Sequence, residues 1–236
     1  MEWIQEIKDI LSAVKNRTGS FYLAGGTALS LFYFQHRLSE DLDFFTQNFD
    51  LGEIKKVIET IESFTGQKAD LKAENTQPGF VKMQVFDIQM RSGTKLKVDF
   101  VQDSLKLLKG LNEFNGIPVL SVEDIYLRKI FAVSGSLVTT NLVGRPDIAG
   151  GRQEAKDHVD LYVLSHTFMP LSKFAREFCG PVQKEGLIRW FNTFDRFRMK
   201  SGLLELRTKV PHDWQIMERH FKDEIGRLIA MEVDSI

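Results

Sequence analysis

Two aspartates one residue apart, Asp41 and Asp43, are the side chains of this sequence best suited to chemistry. Strand side chains alternate between faces, so an Asp-x-Asp pair presents both carboxylates on one side, within reach of a shared cation. Carboxylate oxygens are hard ligands of the kind Mg²⁺ takes when it also grips substrate phosphates. Upstream stand Gly25, Gly26 and Thr27. Two glycines let the backbone come close to a phosphate, and the N–H groups opening the next helix favour an anion. Phosphate donors followed by a metal-binding Asp pair describe a site for phosphoryl or nucleotidyl transfer. Singly, the pieces say little: Gly-Gly is most often a turn, and Asp-x-Asp a solvated strand start.

The elements that must hold these residues follow from hydrophobic spacing. Trp3, Ile4, Ile7, Ile10, Leu11 and Val14 recur at helical intervals and predict an amphipathic helix over 2–16. Phe21 to Ala24 reads as a short buried strand stopping at the glycines, Thr27 to Phe34 as a helix, and Leu42 to Phe45 as a second strand. Asp50-Leu51-Gly52 opens a helix carrying Ile54, Val57, Ile58, Ile61 and Phe64, which ends near Gly66. Strands are expected over 67–74, 80–90 and 94–101, the last two joined by a hairpin at Arg91-Ser92-Gly93-Thr94. On the last, Leu96, Val98 and Phe100 point one way and Asp99 the other. The sheet is expected to be small and mixed, with helices against one side. Asn115 to Val119 is a final short strand or connector, and the domain boundary is placed there. Ser121-x-x-Asp124 then has the pattern of a capped helix start, leading through Ile125, Lys129 and Phe131. Residues 134–151 form a loop rich in breakers, a lid, a substrate-binding loop or an insertion.

Gly25-Gly26-Thr27-Ala28-Leu29 followed by His36-Arg37-x-Ser39-x-Asp41-Leu42-Asp43-Phe44 resembles the nucleotidyltransferase family that includes the AbiEii-type toxins of type IV toxin–antitoxin systems. That family belongs to the polymerase-β-like superfamily. The resemblance implies an α+β fold: a minimal nucleotidyltransferase mixed-sheet domain over 1–118 and a C-terminal helical domain over 119–236 that closes over the nucleotide. It implies Asp41, Asp43 and Asp99 as ligands of Mg²⁺ or Mn²⁺, with Asp87 and Asp103 ranked below Asp99. Gly25, Gly26, Thr27 and Ser39 then bind the nucleoside triphosphate. Lys129, among apolar residues, is the implied phosphate contact, with Arg128 as the alternative. Within Arg152-Gln153-Glu154-Ala155-Lys156-Asp157-His158-Val159-Asp160-Leu161, the implied catalytic residue is Asp157. Asp160 is expected to bond to backbone or to Arg152, and the His36-Arg37 pair to shape the loop ahead of Asp41. The resemblance further implies an RNA acceptor (a tRNA 3′ end) and a cognate antitoxin. Protein or small-molecule acceptors, or a catalytically silent nucleotide-binding or RNA-binding module, are the alternatives.

Composition sets the frame. At 236 residues the chain has length for one large domain or two small ones. Lys plus Arg (31) nearly balances Asp plus Glu (32), so no overall basic field announces nucleic acid. A single cysteine, Cys179, precludes an internal disulfide framework and fits a cytoplasmic setting. No apolar run approaches the ~20 residues of a membrane span. There is no P-loop pattern, and the Asp pair lacks the contexts of haloacid-dehalogenase phosphatases and Asp-x-Asp glycosyltransferases. Beyond residue 167, helices near 171–179, 183–199 and 213–231 carry apolar stripes that read as core. Arg189, Arg196, Arg198 and Lys200, interleaved with Trp190, Phe191, Phe194 and Phe197, suggest either an RNA-facing surface or a solvated basic helix face.

Overall fold

The computed structural model describes residues 2–135, 137–140, 146–149, 151–209 and 213–234, and for 2, 137–140 and 146–149 only the backbone. The chain divides into two compact units: Met1–Tyr33 with Ser39–Asp124, and Phe34–Leu38 with Ile125–Ile236.

The first unit contains α1 (Glu2–Val14), β1 (Tyr22–Leu23), α2 (Gly25–Ala28) running into a π-helical turn (Leu29–Tyr33), β2 (Asp41–Thr46) and α3 (Leu51–Thr65). Then come β3 (Asp70–Asn75), β4 (Met83–Gln89), β5 (Lys95–Gln102), β6 (Leu111–Phe114) and β7 (Ile117–Leu120). Seven strands form one mixed sheet in the order β3-β4-β5-β2-β1-β7-β6. The β2–β5 and β1–β7 pairs are parallel and the others antiparallel. Period-two alternation decides which residues face inward: Leu42, Phe44, Leu96, Val98 and Phe100 are fully buried. The Phe100 ring packs edge-on to Phe21 at 5.2 Å and stacks on Phe44 at 5.4 Å. The apolar stripes of α1 (Ile7, Ile10, Leu11, Val14) and α3 (Ile54, Val57, Ile61) complete this core, the two helices packing on each other. Asp50 starts α3 by accepting from the Glu53 N–H at 3.0 Å, and Gly66 ends it at φ +71°.

The sheet is larger than the sequence pattern suggests. Asn115 (φ +53°) and Gly116 (φ +77°) both adopt left-handed conformations, as the tight turn of a two-residue hairpin requires. They join β6 to β7, so a stretch that reads as one short strand or connector is half of a hairpin. Leu111 to Phe114 escape detection because three of the four are exposed and show no alternation. The helix after the glycines also starts earlier, at Gly25 rather than Thr27.

In the second unit, α4 (Val122–Ser134) begins within the first unit and continues into the second. Its start is capped by Ser121: the Oγ accepts from the Asp124 N–H at 3.1 Å and donates to Asp124 Oδ2 at 2.7 Å, while the Ser121 N–H donates to the Gly110 carbonyl. An antiparallel hairpin follows, β8 (Leu137–Thr140) and β9 (Pro146–Ala149), where the breakers predict irregular loop. Ser136, Asn141, Gly144, Arg145 and Gly150 of that stretch lie outside the described residues. The remaining elements are α5 (Ala155–Thr167), α6 (Leu171–Phe178), α7 (Pro181–Thr193), α8 (Arg196–Glu205) and α9 (Trp214–Val233). The run expected as one helix over 183–199 is two, because Phe194 is extended and Asp195 caps a fresh start by accepting from the Arg198 N–H at 3.0 Å. No described helix is long and apolar enough to cross a membrane.

His158 sits in the core of the second unit, its ring centroid 5.4 Å from that of Trp190, 5.3 Å from Phe194, 5.2 Å from Trp214 and 4.5 Å from Phe221. Neither ring nitrogen has a hydrogen-bond partner among the described residues. Burial therefore disfavours the imidazolium and pushes its pKa down to about 3. An unfolded histidine takes up its proton near pH 6.5, so the unfolded state binds more protons through the whole interval below that. Stability is expected to fall as pH drops from about 6.5 toward 3, by roughly tenfold in the folded-to-unfolded ratio per pH unit from this group alone. Chemical denaturation at pH 7, 6 and 5 checks this, and His158→Phe should flatten the slope.

Candidate active site

The glycine turn and the Asp pair are built against each other. Ala24 N–H donates to the Asp43 carbonyl at 2.8 Å, which fixes the end of β1 beside β2. Gly25 follows at φ +68°, a conformation that favours glycine. A Cβ on Gly25 would lie 2.1 Å from Asp43 Oδ2, so the space a side chain would fill is held by that carboxylate. Thr27 is fully buried; its hydroxyl donates to the Asp41 carbonyl and lies 2.7 Å from Ser39 Oγ. Thr27 and Ser39 thus staple the start of α2 to the start of β2, and in this structure the Thr27 hydroxyl already has partners of its own.

β2 and β5 run parallel in a register that pairs Asp41 with Lys97 and Asp43 with Asp99. Alternation puts all four side chains on the face opposite the phenylalanine core. Asp99 lies between Asp43 on one side and buried Val85 of β4 on the other. Lys97 Nζ donates to Asp99 Oδ2, and Asp99 Oδ1 is buried with no hydrogen-bond partner among the described residues. Burial opposes the Lys97 charge, but the bond to Asp99 and the nearby charges of Asp99, Asp41 and Asp43 outweigh it and raise the ammonium above its ordinary pKa. The ammonium of Lys97 thus lies within electrostatic reach of all three carboxylates.

As they stand, no three His, Cys, Asp or Glu side chains among the described residues are gathered closely enough to hold a metal ion. The donor set nonetheless fits a hard divalent cation. It consists of carboxylate oxygens on adjoining strands, and one of them, Asp99 Oδ1, is buried and unsatisfied. The competing acids have other duties. Asp87, the cross-strand neighbour of Lys97, pairs with Lys95 at 3.4 Å. Asp103 is buried, accepting from Tyr22 Oη at 2.6 Å and from the Leu105 N–H at 3.1 Å.

The second unit holds its own cluster of charges. Lys129 on α4 is buried and lies 2.8 Å from Asp157 Oδ1 and 2.6 Å from Asp160 Oδ2, both on α5. Asp160 also accepts from Arg37 Nε at 2.7 Å and Nη2 at 2.9 Å, and stands 2.7 Å from His36 Nε2. Burial would raise the Asp160 carboxyl, but the Arg37 and Lys129 charges and the Arg37 and His36 hydrogen bonds hold it well below the usual carboxylate range. Lys129 is likewise raised, burial and Arg37 opposing while Asp160 and Asp157 prevail. Arg152 bonds to Asp157, its Nη2 at 3.1 Å from Oδ1, not to Asp160 as the helix spacing suggested. Besides Lys129, the partners of Asp160 come from the segment 34–38, too distant in sequence for helix spacing to reveal. Arg128 is half-buried beside Lys129 on α4.

Cys179 is buried, which pushes its thiol up to about 12, an inert core position. Of the basic and aromatic group near α8, Trp190, Phe191 and Phe194 are core residues, whereas Phe197 is 83% exposed and Arg198 and Lys200 are exposed beside it.

Comparison with known proteins bears on the family and the fold. The model of a family described as "Nucleotidyl transferase AbiEii toxin, Type IV TA system" matches residues 9–225. The chain belongs to that family. No curated protein matches the sequence. Among solved structures, a crystal structure of a candidate nucleotidyltransferase from H. pylori is similar at a TM-score of 0.57 and 18% identity, covering 98% of each chain. JHP933 from Helicobacter pylori is similar at a TM-score of 0.56 and 17% identity, over 99% of this chain and 97% of that one. At such identities the likeness shows the fold, and it extends through the C-terminal helices.

Two substitutions separate the clusters by their energetics. Asp160→Asn leaves Arg37 and Lys129 as buried like charges short of a counter-charge and is expected to cost roughly 3–5 kcal/mol of stability. Asp43→Asn relieves repulsion on a half-exposed face and is expected to change stability by under about 1 kcal/mol. Gly25→Ala combines a positive φ with a clash on Asp43 and should cost about 1–3 kcal/mol. Urea titration of the three variants reads all three values.

Proposed function

We propose that this chain is a metal-dependent nucleotidyltransferase that moves a nucleoside monophosphate from a nucleoside triphosphate to a hydroxyl of RNA, as the toxin of a type IV system with a cognate antitoxin. The observation that carries the reading is the rung of carboxylates: Asp43 beside Asp99 on parallel strands, Asp41 one step along, and Gly25 kept free of a side chain against Asp43. Asp41, Asp43 and Asp99 are the residues that would hold Mg²⁺ or Mn²⁺. When bound, the ion supplies positive charge to the triphosphate and to the developing charge of the transfer step. Gly25 and Gly26 offer backbone N–H groups at the start of α2. Thr27 and Ser39, by their mutual contact and the Thr27 bond to the Asp41 carbonyl, hold that turn in register with the metal ligands.

Lys129 and Asp157 are proposed to serve the same reaction from the second unit, Asp157 and Asp160 keeping the Lys129 ammonium charged and in one rotamer. RNA as acceptor rests on family membership. It is supported by the exposed Phe197 flanked by Arg198 and Lys200, a ring for stacking and cations for phosphates. A cytoplasmic location is proposed on the same footing.

The test is incubation with each labelled nucleoside triphosphate, Mg²⁺ or Mn²⁺ and total cellular RNA. Label is expected to enter RNA from one preferred nucleotide. Asp41→Ala or Asp43→Ala should reduce transfer by about a thousandfold or more, the loss of several kcal/mol of charge stabilisation. Label entering only protein would move the proposal to protein modification, and wild-type activity in both variants would overturn the assignment of the site.

A further inference from the structure

Lys97, in the stretch Lys97-Val98-Asp99-Phe100, is a cation set among the proposed metal ligands. Its register partner is Asp41, and Asp99, two residues on and on the same face, is its ion-pair partner. Two residues back on the same strand, Lys95 pairs instead with Asp87 of β4 at 3.4 Å. Lys97 therefore pairs with an inner carboxylate, and it does so through one of the two Asp99 oxygens that a cation would use. Its side chain is 44% exposed, against 16% for Asp99, so the lysine end of the pair is the one with room to swing into solvent.

We propose that Lys97 is a built-in counter-ion, seated on Asp99 until a divalent cation displaces it, so that metal affinity in this family member is set by competition with an ammonium of its own chain. The proposal rests on the metal-dependent reading given above. Without a metal, three carboxylates on two adjoining strands repel, and the ammonium relieves that repulsion. With a metal, the same ammonium is a rival for Asp99 Oδ2 and a like charge beside the ion. One residue thus stabilises the metal-free fold and weakens metal binding, a pair of effects that a simple scaffold role does not combine.

The experiment is Mn²⁺ binding to the full chain at fixed pH and ionic strength, followed by electron paramagnetic resonance of free Mn²⁺, with thermal unfolding in the presence and absence of the ion. Lys97→Met is expected to lower the Tm of the metal-free protein, to bind Mn²⁺ roughly two- to fivefold more tightly and to gain more Tm on adding it. Lys97→Arg keeps the charge and should not bind more tightly than the wild type, and Lys95→Met should bind as the wild type does. If Lys97→Met fails to fold, Lys97→Gln carries the same comparison. Unchanged or weaker binding by the neutral variant, with clear binding by the wild type, overturns the counter-ion role alone. Absence of Mn²⁺ binding by the wild type overturns the metal-dependent reading and this inference with it.

Discussion

The parallel pairing of β2 with β5 is the constraint on which the first unit's chemistry depends. Parallel strands cannot be joined by a tight turn, and here the excursion between them contains a helix and two further strands. The pairing buys one thing that no local segment supplies: a fixed rung that sets Asp43 beside Asp99. A slip of one residue would turn Asp99 into the core and expose Phe100 and Val98 to water. The fully buried phenylalanines on the other face thus hold the acids in position, since the register that packs Phe44 against Phe100 is the register that aligns the carboxylates. Core energetics and site geometry are two faces of one sheet.

The second unit solves a different electrostatic problem. The acids around Lys129 are buried, so each must be matched, and Asp160 by itself contacts Arg37, His36 and Lys129. Burying such charges is expensive even when they are paired, and a hydrophobic cluster of equal volume would serve stability as well or better. Keeping them there fixes the rotamers of Lys129 and Asp157. On the sheet the acids keep some contact with water, and Lys97 pairs with Asp99 from a half-exposed position.

Much of this was legible in the sequence because it is local. The helix over the first residues, the Asp50 cap, the Gly66 stop, the inward set of Leu96, Val98 and Phe100, and the Ser121 cap all follow from spacing and side-chain chemistry. So does the shared face of Asp41 and Asp43, and the family resemblance drawn from Gly25 to Phe44 holds over residues 9–225. What spacing did not reveal is what depends on long-range pairing. The β6 strand is exposed and lacks alternation, the β8–β9 hairpin lies in a stretch dominated by breakers, and Asp160 finds partners 123 residues away. Lys97 was visible two residues before Asp99 on the same face, but its meaning required the partner strand.

The five residues Phe34–Leu38 belong to the second unit while the chain on either side of them belongs to the first. Leu38 N–H donates to the Arg207 carbonyl at 2.7 Å, and Arg37 forms an isolated bridge with Thr208. On the ribosome, then, Arg37 and His36 emerge long before Asp160, and longer still before Arg207 and Thr208. A nascent chain that already carries the whole glycine turn and every acid of the sheet still lacks the carboxylate that anchors the connection between α2 and β2. Synthesis itself therefore orders events: the loop leading into Asp41 acquires its anchors only when the last third of the polypeptide has been made. A prematurely terminated product, for a protein of a toxin family, is left with that loop untethered.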